Sequence, residues 1–169
     1  VKENVPPESQ QSVLRALELF WRFVEKHKWT GVALSAGSYR LPSGIEVKLR
    51  MIGRYYSEHL KETWILALQP RQDDAPNPEQ YSMWRSALFY EFCKVKDNVM
   101  IVDLSKNMVS QKRELRELTA RKCPILARSD LEDRLELVAA CYRKAVELIP
   151  ERPSRPKFDK DSGQSGFKF

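Results

Sequence analysis

Glu46-Val47-Lys48 is the tripeptide in this chain with the clearest chemical potential. On an extended strand the first and third side chains project to the same side. A carboxylate so placed can hold Mg²⁺ while the lysine orients an attacking water or steadies charge on a phosphate, the division of labour of a metal-dependent nuclease. That chemistry needs a second carboxylate, and no Asp precedes Asp73. The remaining partner is Asp103, which ends a short apolar stretch. Glu46, Lys48 and Asp103 therefore define one alternative, a nuclease with Mg²⁺ as its cofactor.

Other reactive side chains are sparse. Of the two histidines, His27 falls at a helix end and His59 in a polar turn, and His59-Leu60-Lys61-Glu62 supplies two ligands with nothing to complete a metal site. Cys93, Cys123 and Cys141 are odd in number and form no Cys-x-x-Cys pair, so neither a disulfide framework nor a zinc knuckle is expected. Cys123 follows Arg121-Lys122, neighbours that favour a thiolate, yet no His or Asp stands beside it. Nucleotide-cradling glycine loops and the Gly-x-Ser-x-Gly elbow are missing from the sequence. The leading expectation is accordingly non-enzymatic, without metal or cofactor.

Charge points to a partner instead. The 169 residues carry 29 Lys+Arg against 23 Asp+Glu, a net +6, and 42% are hydrophobic, enough for one proper core and too many for wholesale disorder. The positive charge is concentrated: residues 27–72 are net +4, 97–128 net +3 and 151–169 net +2. Lys48, Arg50 and Arg54 share a segment with Tyr55 and Tyr56, a basic face with aromatics that can stack on bases. Lys112, Arg113, Arg116, Arg121 and Lys122 form a second cluster, suited to phosphate contacts. Glu114 and Glu117 interleave with it, as on any solvated helix. The reading that follows is a nucleic-acid-associated module, binding DNA or RNA within a larger assembly. A third reading is a protein–protein assembly or adaptor domain. The tail ends Gly166-Phe167-Lys168-Phe169, and Phe167 and Phe169 are the kind of aromatics that dock into grooves on partners. The aromatic faces of the first two helices also exceed what one core readily buries.

The elements that must position these residues follow from periodicity. Val13, Leu14, Leu17, Phe20, Trp21 and Val24 predict a core helix over 8–26. Val32, Leu34, Tyr39 and Leu41 then lead into Pro42-Ser43-Gly44, a turn with Gly where positive φ is wanted. Ile45, Val47, Leu49 and Met51 alternate with Glu46, Lys48 and Arg50, a half-buried antiparallel strand on which Arg40 falls opposite Glu46. Trp64–Leu68 reads as a central strand. Asn77-Pro78-Glu79-Gln80 carries a capping box for a second helix to about Lys94. Val99–Val102 is a buried strand. Ser105 and Ser110 compete to cap a polar third helix over 111–122. Ser129 with Glu132 caps a fourth, marked by Leu131, Leu135, Val138, Tyr142, Ala145 and Ile149 and closed by Pro150.

The expected organisation is an N-terminal arm over 1–6, a single α+β domain over 7–150 and a flexible basic tail over 151–169. About four largely antiparallel strands pack with about four helices in the order α-β-β-β-α-β-α-α. No apolar run approaches the roughly 20 residues of a membrane span. The thiol usage and lack of a signal-peptide pattern suggest an intracellular setting, cytoplasmic or nucleoid/nuclear.

Overall fold

The protein is described from a computed structural model, over residues 7–50, 52–70, 76–106 and 112–148. The elements run α1 (Pro7–His27), β1 (Trp29–Ala33), β2 (Gly37–Arg40), β3 (Glu46–Leu49), β4 (Ile52–Ser57), β5 (Glu62–Gln69), α2 (Pro78–Phe92), β6 (Asp97–Asp103), β7 (Arg116–Leu118) and α3 (Arg128–Leu148). The class is α+β. The strand count and order differ from expectation. One sheet of five strands has the order β1-β4-β5-β6-β7, and β2-β3 is a separate hairpin.

The five-stranded sheet is mixed rather than largely antiparallel. β5 and β6 run parallel, with Ile65 opposite Val99, and α2 is the crossover that a parallel pair requires. Both strands are buried on two faces, which explains their near-continuous apolar sequence. Ile65, Ala67, Val99 and Ile101 face a core built with α2, α3 and the hairpin. Trp64, Leu66, Met100 and Val102 face a second core closed by α1. Each fully buried aliphatic side chain contributes about 1.5–3 kcal/mol relative to exposure.

Local signals account for the best-defined junctions. Asn77 accepts from the Gln80 N–H at 2.9 Å while the Gln80 side chain accepts from the Asn77 N–H at 2.9 Å, a complete capping box. In the hairpin, Arg40 sits opposite Glu46 and Leu41 N–H donates to Ile45 O at 2.8 Å. Gly44 takes a positive φ of 83° in that turn, a conformation costly for any side chain.

Three helices are present among the described residues, where four were expected. Residues 116–118 of the expected polar third helix form β7 instead, pairing antiparallel with β6 so that Leu118 lies opposite Ile101. The physical reason is long-range: Arg113 and Arg116 reach acceptors within the fold that a solvated helix would forgo. α2 stops at Phe92, short of Lys94. α3 starts earlier than Ser129, because Leu131 N–H already donates to Ala127 O at 3.0 Å. Met51, Ser110, Ile149, Pro150, the N-terminal arm and the entire tail, with Phe167 and Phe169, lie outside the described residues.

Candidate functional site: an apolar groove beside the first helix

α1 carries more apolar surface than the sheet covers. Leu19, Phe20, Phe23 and Val24 turn inward onto the sheet. Val13, Leu14, Leu17 and Trp21 were expected in the same core stripe but stand on the surface, Trp21 at 63% exposure. Val13, Leu17 and Trp21 recur every four residues, so they form one row along the helix.

Beside that row lies an open groove of about 440 Å³. Phe20 and Val24 form its wall, Leu66, Leu68 and Val102 its floor, and Ala33 and Leu34 its far rim. Val32 on the adjoining edge strand β1 is 63% exposed. Tyr55 also lines the groove, and its ring lies over Gly53, where a Cβ would collide with it. The Trp29 indole N–H is buried at this site without a hydrogen-bond partner. The volume falls in the range of ligand pockets. The groove's lining is apolar apart from the Tyr55 hydroxyl and the Trp29 indole N–H.

The base of the groove wall is anchored by polar contacts. His27, at the C-terminal end of α1, is buried, stacks on Trp29 at 5.0 Å and lies 3.2 Å from Glu117 of β7. Lys26 reaches the same carboxylate at 2.8 Å. Burial pushes the Glu117 carboxyl up, but the Lys26 and His27 contacts outweigh it and hold the group below its ordinary value. Ser57 Oγ donates to His27 O at 3.1 Å, tying α1 to β4. Along the lip, Trp21 donates to Glu25 at 2.7 Å. Glu18 sits between Arg15 and Arg22, and the Arg15 hydrogen bond leads in lowering its pKa.

α3 carries a second exposed apolar surface. Leu131 is fully buried and Leu135 packs against the core, whereas every residue from 141 to 148 is exposed. Val138, Tyr142 and Val146 form a row, with Tyr142 at 70% and Leu148 at 83% exposure. Sequence periodicity marked Val138 and Tyr142 as part of a helix stripe. The signal reports amphipathicity, not what covers it.

The expected basic residues are dispersed. Arg54 donates to Phe92 O at 2.8 Å and pairs with Asp97 at 2.8 Å. Arg113 donates to Ser12 Oγ at 2.9 Å, Pro70 O at 3.1 Å and Leu104 O at 3.0 Å. Arg116 pairs with Asp103 and donates to Ser105 Oγ at 2.7 Å. All three thus hold the fold together. Lys48, Arg50, Lys112, Arg121 and Lys122 are exposed. Tyr56 is exposed at the surface while Tyr55 faces the groove. Lys106, Lys112, Arg113 and Arg15 do converge, lining a crevice of about 560 Å³ with Glu114.

Glu46 and Lys48 meet at 2.6 Å, and Arg40 reaches Glu46 at 2.8 Å. Asp103 belongs to the other sheet and is fully buried. Among the described residues no group of three or more His, Cys, Asp or Glu is placed to hold a metal ion. Cys123 is buried, and burial pushes its thiol up, overriding the basic neighbours that favour a thiolate. No helix among the described residues is long and apolar enough to cross a membrane.

The chain matches no protein-family model, and comparison with curated proteins and with solved structures gives no match.

Proposed function

We propose that this protein is an assembly module whose groove beside α1 takes the apolar face of an amphipathic helix from a protein partner. One observation carries the reading: the exposed row Val13-Leu17-Trp21 runs beside an open apolar groove. Such a surface is costly to leave in water and marks an interaction site. Covering half of a large apolar side chain returns on the order of 1 kcal/mol, so a few anchors suffice for micromolar binding. A helix is the fitting ligand because its side chains at i, i+4 and i+7 can enter a groove as a row. Trp21 and Trp29 report directly on occupancy. Titration with a synthetic Leu/Lys amphipathic helical peptide is expected to shift Trp emission and saturate. Leu17→Glu, a surface change that leaves the far-UV CD intact, is expected to abolish the shift. Equal binding to the Leu17→Glu protein overturns the reading.

A second reading, a nucleic-acid-associated module, is supported by the crevice of Arg15, Lys106, Lys112 and Arg113. Lys106 and Lys112 would contact phosphates there, with Arg113 as part of the crevice wall, and Arg121 and Lys122 are further exposed cations. Anisotropy with labelled DNA and RNA should then show affinity falling steeply between low and moderate salt, and Lys112→Ala should flatten that slope. Salt-independent binding, or none, removes this reading.

A further inference from the structure

We infer that the Tyr55 hydroxyl selects which helix the groove accepts, by requiring one neutral hydrogen-bonding side chain within the partner's apolar face. This rests on the assembly reading above and names the chemistry of its partner. Tyr55 stands on β4 opposite Gly31 of β1 and two residues beyond Gly53 on its own strand. Residues two apart on a strand share a face, and so do residues directly opposed across a pair. Glycine therefore flanks the Tyr55 ring on two sides. A Cβ at Gly31 would come within 2.8 Å of Tyr55 Cδ1, and one at Gly53 within 2.6 Å of the hydroxyl oxygen. The ring is thus laid along the sheet toward Gly53, in a cradle that any larger residue at either position would fill. Glycine inside a strand weakens it, so the cradle has a cost in stability. A phenylalanine ring would fit the same cradle; the hydroxyl is the part that packing does not explain.

Gly53 and Tyr55 both line the groove, so an oxygen held over Gly53 stands in its wall. The other polar group there, the Trp29 indole N–H, is sealed from solvent. The Tyr55 hydroxyl is not sealed, and among the described residues it makes no hydrogen bond. A wholly apolar helix seated against it would strip its water and return nothing, the costly half of the hydrogen-bond balance. A charged side chain would itself have to be desolvated against Leu66, Leu68 and Val102, at greater cost. An amide or a hydroxyl on the partner answers the phenol, which can donate or accept. One placed polar group in an otherwise apolar site also fixes the orientation and register of what enters.

The experiment scans glutamine through the Leu/Lys peptide, replacing the leucines of its apolar face one at a time, with Trp emission of the full chain as the readout of binding. One position is expected to accept Gln with little loss, while Gln elsewhere weakens binding about tenfold or more. Tyr55→Phe should then weaken the favoured Gln peptide roughly threefold to tenfold and bind the all-Leu peptide as well as wild type does, or better. Tyrosine labelled with ¹³C at Cζ gives a second readout that needs no variant. The Tyr55 signal should move further with the favoured Gln peptide than with the all-Leu peptide. Gln that is equally harmful at every position overturns the inference. So does a Tyr55→Phe protein that loses both peptides alike, and so does a Tyr55 signal that moves equally with both. Each of these results still includes a peptide that saturates the wild-type groove, so the assembly reading stands and the role of the hydroxyl alone falls. If no peptide of the set shifts Trp emission, the assembly reading falls and takes this inference with it.

Discussion

Arg116 on β7 closes onto Asp103 at the end of β6, directly opposite it in the antiparallel register. Asp103 is fully buried, and its other oxygen accepts from Ser105 N–H at 2.9 Å. The Tyr81 hydroxyl lies in the same pocket of charge. Its own burial, followed by the nearby Asp103 carboxylate, raises its pKa well above that of a free phenol. Aspartate and arginine at these positions are thus a structural pair that fastens a three-residue edge strand to the sheet.

Removing the cation alone should therefore be worse than removing both charges. Arg116→Met leaves a buried carboxylate uncompensated, a class of change that costs about 3–5 kcal/mol. The partial exposure of Arg116 places the expected loss at the lower end. Asp103→Asn with Arg116→Met should cost clearly less than Arg116→Met alone, as read from urea unfolding midpoints. A double variant as unstable as the single would show that packing, not charge, dominates this contact.

Glu46 should titrate far below an ordinary carboxyl. The hydrogen bond from Lys48 comes first and that from Arg40 second, and together they bring its pKa down to about 2. A depressed folded-state pKa means that the contribution is complete above the usual carboxylate range and is lost as pH falls toward about 2. The carboxyl is solvated, so the effect should be visible in its NMR titration rather than in global stability. Lys48→Ala should move the midpoint upward. A midpoint near 4 in the wild type would show that the pairing does not persist in solution.

The three thiols should separate by reactivity. Cys141 is exposed on α3, whereas Cys93 is half-buried and Cys123 buried. Burial, then the negative charge of Asp97, pushes the Cys93 thiol up to about 11. A thiol-disulfide reagent at neutral pH should consume one equivalent quickly and two slowly, with all three fast in denaturant. Peptide mapping should place the fast site at Cys141; a fast Cys123 would contradict the packing beneath α3.

Two glycines should respond differently to a methyl group. At Gly31 a Cβ would meet the Arg54 carbonyl and the Tyr55 backbone, so Gly31→Ala must disturb the pairing of β1 with β4. A loss of about 1–3 kcal/mol is expected. At Gly53 the obstacle is the Tyr55 side chain, which can move. Gly53→Ala should cost less stability but displace the ring that lines the groove, lowering affinity for the amphipathic peptide severalfold. Equal stability losses for the two variants would contradict the distinction.

Much of the fold was legible where local chemistry sets it. The Asn77–Gln80 capping box and the Arg40–Glu46 register both follow from residues within a few positions of each other. What escaped depends on distant partners. The charge pattern over 112–122 suits a solvated helix, and nothing local reveals that Arg113 will serve Pro70 and Leu104 or that Arg116 will serve Asp103. Alternation identified the strand at Glu46 but not its membership of a separate hairpin. The parallel pairing of β5 with β6 is a property of the α2 crossover, not of either strand's composition. For the candidate site the limit was similar. The apolar stripes of α1 and α3 were plain in the sequence, while the fact that each helix buries only part of its stripe required the sheet against which to measure it.

The outer strand β1 adds a hazard to this arrangement. Its sequence, Trp-Thr-Gly-Val-Ala, has neither charge nor proline, the usual guards against pairing with a foreign strand. Thr30 to Ala33 are exposed, and among the described residues the strand pairs on one side only, with β4. Since this margin adjoins the groove, whatever fills the groove also sheathes the margin. Variants that empty the groove should then precipitate sooner on storage, even when the substitution adds a charge.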